Sequence, residues 1–251
     1  MYKIPARTLF MGQKLIYVPE CHSTNSLLIE LNDRSALPEG TVLITNCQTA
    51  GRGQRGNLWE ASPGMNLTFS ILLRPAFLET NDQFQLNMAL SLAVADALQS
   101  SMGQPIKLKW PNDIYVEDKK IGGVLIESLL QGISLTSSIA GIGLNINQQQ
   151  FSFPHASSLS NFSGEMHDLN IIFQKLLESL EAEYLNLRAR RVSVLKQRYL
   201  TSLYKFRELH EFETNGERIM GTICDVDDGG RLYIESSGET RGFSLKEVRF
   251  Q

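Results

Sequence analysis

The chain has 251 residues, 42% hydrophobic and 20% charged, the profile of a globular protein with one large domain or a main domain and a small appendage. A net charge of −3 and a pI near 5.9 give no general attraction to nucleic acid or to an anionic membrane, so neither is expected as a partner. Cys21, Cys47 and Cys224 are far apart with no CxxC pair, which excludes a disulfide framework or a zinc cluster. With no apolar core in "MYKIPARTLF" and no apolar run near ~18 residues, a cytoplasmic protein is expected.

A short strand, "KLIYVPE", opens the pattern. "STNSLLIELND" follows with capping residues and leucines 27, 28 and 31 at helical spacing. "GTVLITNCQTA" is β-branched and apolar and reads as a buried strand, and "NLTFSILLRP" reads as another. Between them lies "GRGQRG". "NDQFQLNMALSLAVADALQSSMG" is the clearest helix, with a polar start and a glycine exit. "IKLKWPNDIYV", "KKIGGVLIESLL" and "ISLTSSIAGIGLNIN" predict successive strands, with turns at Asn112-Asp113 and Glu117-Asp118. Phe151 to His167 reads as a polar loop, and a helical block then runs on towards Tyr204. From Gly216 onward, short alternating strands with "DDGG" and "SSG" turns predict a small β-barrel or sandwich. The expected division is an α+β domain over residues 1–204 and a small β domain over 205–251.

"GRGQRG", Gly51 to Gly56, fits the G-x-G-x-x-G pattern of dinucleotide sites. Such a site needs a helix directly after the glycines, whose N-terminus receives the pyrophosphate. Here "NLWEASPGMNL" carries Pro63 and Gly64 and runs into a strand, and no Gly-Lys-Ser/Thr closes a P-loop. What remains is a permissive loop with Arg52 and Arg55 inside the glycine frame. It is either an anion-binding nest with planar cations or a solvated turn with surface arginines. Lys119, Lys120 and the following glycine pair place ammonium groups where they can stabilise developing charge, or simply form a hairpin tip. Asn145 and Asn147 can serve a nucleotide or close a turn. His22, His155, His167 and His210 show no metal spacing and receive no catalytic role.

Taken in order, "STN", "QTAGRGQRGNLW", "SPGMNLTFSI", "KWPNDIYVEDKKIGGVLIE" and "GIGLNIN" closely resemble the biotin protein ligases. The resemblance is dense over residues 14 to 147 and weaker through the helical block into the C-terminal β module. It implies a class II synthetase-like α+β catalytic domain, a mixed sheet with flanking helices, followed by a small SH3-like β-barrel. It also implies the chemistry: ATP activates biotin's carboxylate to biotinyl-5′-AMP, and the acyl group passes to a lysine of a biotin carboxyl carrier protein. Both reacting groups are anionic, so such a site needs positive groups and donors around them.

Carried over residue by residue, the resemblance places Ser23, Thr24, Asn25 and Gln48 at biotin's polar head. Gly51, Arg52, Gly53 and Gln54 form the loop over the carboxylate and the adenylate, and Arg55 faces phosphate. Lys120 matches the family's active-site lysine, with Lys119 solvated, and Gly123 packs against the bound tail. Trp59 matches the aromatic near adenine, or is a core tryptophan. Asn112 and Asn145 serve the nucleotide. Asp113 is a candidate for Mg²⁺, or for an Asx turn. ATP and biotin are thus the implied substrates, and a homodimer built on sheet edges is compatible with the resemblance. Two features depart from the family. Many members have arginine where this chain has Gln54, which puts its hold on the adenylate in doubt. Some relatives carry an N-terminal DNA-binding domain, and ligase motifs that begin by residue 23 leave no room for one. A lipoate or octanoate ligase is the rival enzyme, although its "RRxSGGG" stretch is absent. A non-catalytic biotin sensor has less need of Arg52, Arg55 and Lys120 together.

Overall fold

The protein is described here by a computed structural model. It covers residues 2–4, 6–132, 134–214, 216–245 and 247–251; the side chains of Arg55, Gln131 and Ser134 also lie outside the described part.

The elements follow in chain order. β1 (Leu15–Cys21), α1 (Thr24–Ser35) and β2 (Val42–Gln48) precede a single 3-10 turn at Gln54–Gly56, and β3 (Leu67–Leu73) comes next. α2 (Gln83–Gln99), β4 (Ile106–Lys109), β5 (Asp113–Val116), β6 (Lys119–Gln131) and β7 (Ser134–Leu144) complete the larger sheet. α3 (Leu159–Ser163), α4 (Leu169–Arg188) and α5 (Val192–Ser202) lead into β8 (Leu209–Thr214), β9 (Glu217–Val226), β10 (Leu232–Ser236), β11 (Glu239–Phe243) and β12 (Val248–Phe250).

The first seven strands form one mixed sheet in the order β1-β2-β3-β7-β6-β5-β4, and only β1 and β2 are parallel among its pairs. The last five form an antiparallel sheet in the order β11-β10-β9-β8-β12. The α+β class and the separate C-terminal β region are as expected from the sequence. Ser237 and Gly238 both have positive φ (53° and 82°) between the paired Ser236 and Glu239, the two-residue hairpin turn that "SSG" predicts.

Side-chain alternation gives the larger sheet two unlike faces. Along β3, Leu67, Phe69, Ile71 and Leu73 join α2 and α4 in the main core, where Phe69 meets Phe173 edge-on at 5.2 Å between ring centres. Thr68, Ser70 and Leu72 point to the other side. There Leu72, Leu43 and Ile139 pack under Leu28 of α1 in a small second core. Pairing carries this second face across the sheet: Thr68 lies opposite Gly143 and Ser70 opposite Gly141, while Gly143 and Gly141 lie opposite Gly123 and Leu125 of β6. One side of the sheet is therefore largely apolar, with the hydroxyls of Ser128 and Ser138 paired on it at 2.8 Å. The other is apolar only under α1 and becomes hydroxyl- and glycine-lined beyond it.

Four sequence expectations need correcting. The stretch 151–167 contains α3, capped where the Ser158 hydroxyl accepts from Asn161 N at 3.3 Å and ended by Gly164 at φ 75°. The helical block breaks after Arg188, where Arg190 takes φ 60°. The C-terminal sheet starts with β8, ahead of Gly216, because "LHEFET" pairs along its full length with β9. The tight turn after β4 falls on Trp110–Asn112, with a cis Trp110-Pro111 peptide, and Asp113 already opens β5.

Candidate active site

The hydroxyl- and glycine-lined part of the sheet forms the floor of a cavity of about 260 Å³. The start of α1 forms one wall, the glycine loop a second, the β4–β5 turn and Lys120 a third, and Leu245, Val248 and Phe250 of the C-terminal β region a fourth.

The start of α1 is arranged unusually. Ser23 occupies the N-cap position, yet its hydroxyl makes no capping bond. Instead Gln48, at the end of β2, supplies the acceptor: its Oε1 takes Thr24 N at 2.7 Å and the Thr24 hydroxyl at 3.1 Å. An orphan helix N–H is thereby satisfied from a neighbouring strand, and the buried Ser23 hydroxyl, at the cavity wall, has no hydrogen-bond partner among the described residues. Ser70 donates to Asn25 Oδ1 at 2.6 Å and lies 2.7 Å from the Thr24 hydroxyl, which fixes both side chains. Asn25 rests directly on Gly141, where a Cβ would collide with its amide, and the Trp59 ring sits over Gly143, where a Cβ would come within 2.5 Å of it. Glycine at these two positions is what lets the wall approach the floor.

The glycine loop is held by its own stem. Trp59 N donates to Gly51 O at 3.0 Å and Gly53 N to Asn57 O at 2.7 Å. Gly51 itself closes against the Trp59 carbonyl and Gln48. No α-helix follows the glycines; the 3-10 turn at Gln54–Gly56 leads to Leu58, which bridges back to Arg52. This agrees with rejecting the dinucleotide pattern. Arg52, Gly53, Gln54 and Trp59 line the cavity, and the Arg55 side chain lies outside the described residues.

At the far end Lys120 Nζ meets Asp113 Oδ1 at 2.5 Å, both groups about a third exposed or less (35% and 25%). The Lys120 backbone is clamped by His155 O at 2.8 Å and by Ser157 N at 2.9 Å, so its ammonium projects from a fixed strand. Gly123 sits against Asp113 and Lys120. Lys119, expected to be solvated, donates to Pro154 O at 2.7 Å in an exposed contact outside the cavity lining. Asn112 lines the cavity, but its Nδ2 is committed to Val124 O at 2.7 Å. Asn145 is buried outside the cavity lining; its Nδ2 donates to Ser157 O at 3.0 Å and its Oδ1 has no partner among the described residues.

Sequence reasoning missed several residues here. Lys109, one place before the turn, lies 4.8 Å from the Tyr115 ring centre, 5.5 Å from Tyr204 and 5.0 Å from Phe250. Burial pulls its ammonium below the usual lysine value, partly offset by the Asp113 carboxylate, while burial pushes the Tyr115 hydroxyl up to about 12. This cage joins the larger sheet to β12. Trp110 makes a second joint, donating Nε1 to Gly230 O at 3.0 Å. Glu127, the last letter of the quoted "GGVLIE", accepts from Asn25 Nδ2 at 2.7 Å and Arg52 Nη2 at 2.8 Å. The period-two run Gly123, Leu125, Glu127 was the available signal.

A resident magnesium site does not fit these residues. No three His, Cys, Asp or Glu side chains gather as metal ligands among the described residues, and the Asp113 carboxylate is already paired with Lys120.

An enclosed site with hydroxyls and amides at one end, Lys120 at the other and an arginine-bearing glycine loop between them suits a small anionic molecule whose acid group undergoes the chemistry. The Biotin/lipoate A/B protein ligase family matches residues 17–145, and the chain belongs to that family. It is 32% identical over 235 residues to the Bifunctional ligase/repressor BirA of Bacillus spizizenii, covering 92% of this chain and 72% of the relative. It is 30% identical over 240 residues to the Biotin--[acetyl-CoA-carboxylase] ligase of Mycobacterium tuberculosis, covering 94% and 88%. Among solved structures, the biotin protein ligase from Aquifex aeolicus in complex with biotin and ATP superposes with a TM-score of 0.80 at 28% identity, covering 95% of this chain and all of that one.

Proposed function

We propose that the protein joins biotin to ATP, forming biotinyl-5′-AMP and pyrophosphate, and then transfers the biotinyl group to a lysine of a biotin carboxyl carrier protein. The observation that carries this is the cavity itself. It brings Ser23, Thr24, Asn25 and Gln48 to one end and Lys120 to the other, with Arg52 on the loop between them, on a chain of the ligase family.

In the first step a biotin carboxylate oxygen attacks the α-phosphorus of ATP, and the bond to the bridging oxygen of pyrophosphate breaks. Ser23, Thr24, Asn25 and Gln48 hold the ureido head, with the Gln48 amide nitrogen and the Ser23 hydroxyl as the groups not committed elsewhere among the described residues. Gly51, Arg52, Gly53 and Gln54 close over the carboxylate, and Gly123 lets the tail lie against β6. Lys120 exchanges Asp113 for the substrate oxygens and stabilises charge as it shifts to phosphate. The resemblance gives Arg55 to phosphate and Trp59 to adenine, and Asn112 and Asn145 to the nucleotide side, Asn145 from behind the lining. Mg²⁺ would come with the ATP phosphates as part of the substrate, and Asp113 would be its candidate partner only once Lys120 has turned to the substrate oxygens. In the second step the neutral lysine amine of the carrier attacks the acyl carbon, AMP leaves with the electron pair, and the amine gives its proton to solvent.

The catalytic domain is assigned to residues 1–204 and the SH3-like β domain to 205–251, a division supported by the two separate sheets. The expected setting is the cytoplasm, and a homodimer through sheet edges remains part of the proposal; no helix of the described residues is long and apolar enough to cross a membrane. The test is pyrophosphate release from ATP with biotin, lipoate or octanoate. Release with biotin, followed by labelling of a carrier domain, is expected. Release with lipoate or octanoate alone would move the protein to the rival activity, and binding without release would make it a sensor.

A further inference from the structure

The backbone bonds of the glycine loop stay within its own stem, from Gly51 to Trp59. Its side-chain hydrogen bonds to the rest of the molecule, among the described residues, come from Arg52, whose Nη2 reaches Glu127 Oε2 at 2.8 Å and the Ser26 hydroxyl at 3.1 Å. The same Glu127 oxygen accepts from Asn25 Nδ2 at 2.7 Å. Asn25 is 3% exposed and its Oδ1 is in turn fixed by Ser70. One carboxylate oxygen on β6 thus joins the loop to the head of the cavity, and it sits on a long strand where Glu127 pairs with Ile139 of β7, with Gly123 and Leu125 on the same face.

We propose that Glu127 is a positioning residue that orders the glycine loop in the ligand-free protein by holding Arg52 and Asn25 on one oxygen. The Nε and Nη1 edges of Arg52 make no hydrogen bond among the described residues, and Arg52 lines the cavity. Glu127 therefore fixes one side of the guanidinium and leaves the other to meet an anion. A surface ion pair with free ends contributes little. This one differs because its acceptor is anchored to a buried amide and its donor belongs to a loop with no other side-chain hydrogen bond to the rest of the molecule among the described residues, so its effect falls on loop order more than on global stability. The consequence for biotin affinity rests on the function proposed above; the consequence for the loop does not.

The test is hydrogen exchange of amides 51–58 in ligand-free protein, with biotin binding measured alongside. Glu127→Ala should speed exchange in that segment by about tenfold while the core strands stay protected. Biotin binding should weaken by about tenfold, with turnover at saturating biotin nearly unchanged. Glu127→Gln, which keeps an acceptor oxygen for both donors, should recover most of both effects. If Glu127→Ala does not fold, Arg52→Met should give the same faster loop exchange. Unchanged loop exchange in a folded Glu127→Ala or Arg52→Met protein overturns the proposal. So does a loss of turnover with the loop still protected. Altered exchange without any biotin binding by the wild type would leave the loop proposal standing and remove the ligase reading.

Discussion

The two faces of the larger sheet are built from alternate residues of the same strands and do opposite work. Phe69 faces α4 among side chains that are completely buried, while its neighbour Ser70 faces Thr24 and Asn25. The apolar face can be filled by bulk, since its gain scales with buried area. The other face must stay thin, hence the glycines of β6 and β7, and its polar atoms must each be aimed. Stability and chemistry are therefore separable along a single strand.

The comparison can be broken at several points. The largest effect is expected from Phe69→Ala, which should cost about 3–5 kcal/mol in urea unfolding, whereas Ser70→Ala should cost only about 1–2 kcal/mol and act mainly on biotin binding. Equal losses at the two sites would mean that the faces are not distinct. Next, Lys120→Ala should lower the rate of adenylate formation by roughly 100-fold or more with little change in melting temperature. Near wild-type turnover would remove this lysine from the chemistry. A smaller effect is expected from Gln54→Arg, which should slow dissociation of biotinyl-5′-AMP, read by trapping the released intermediate; identical release would show that the missing charge is immaterial. The smallest concerns the seam to β12. Because Lys109 titrates below its ordinary value of 10.5 in the folded protein, the unfolded chain binds more protons between those two values. Stability should gain from this group as pH rises through that window. Lys109→Met should flatten that part of the profile in paired denaturation curves at neutral and alkaline pH.

How far the sequence could be read followed the range of the interactions. The first four strands and α2 were legible because their patterns are local and strong, as in the fully buried "LTFSILL". Gln48 was legible as a site residue only through resemblance. Its use as an outside cap for α1 depends on β1 and β2 being adjacent and parallel, which no local pattern specifies. Leu245, Val248 and Phe250 were invisible for the same reason: they reach the cavity from the opposite end of the chain. α3 was missed although Ser158 and Gly164 mark both its ends, since five residues are too few to show a period. The placing of Asn145 behind the lining also follows from a long-range contact, with Ser157.

The most direct measurement is biotin binding by calorimetry to the wild type and to Gly141→Ala. Alanine there brings a methyl group against the Asn25 amide on the floor of the site, without touching the face that packs on α2 and α4. The account predicts that the wild type binds biotin and that the variant binds at least about tenfold more weakly while melting within a few degrees of it. A wild type that does not bind biotin, or two proteins with equal affinity, would contradict it.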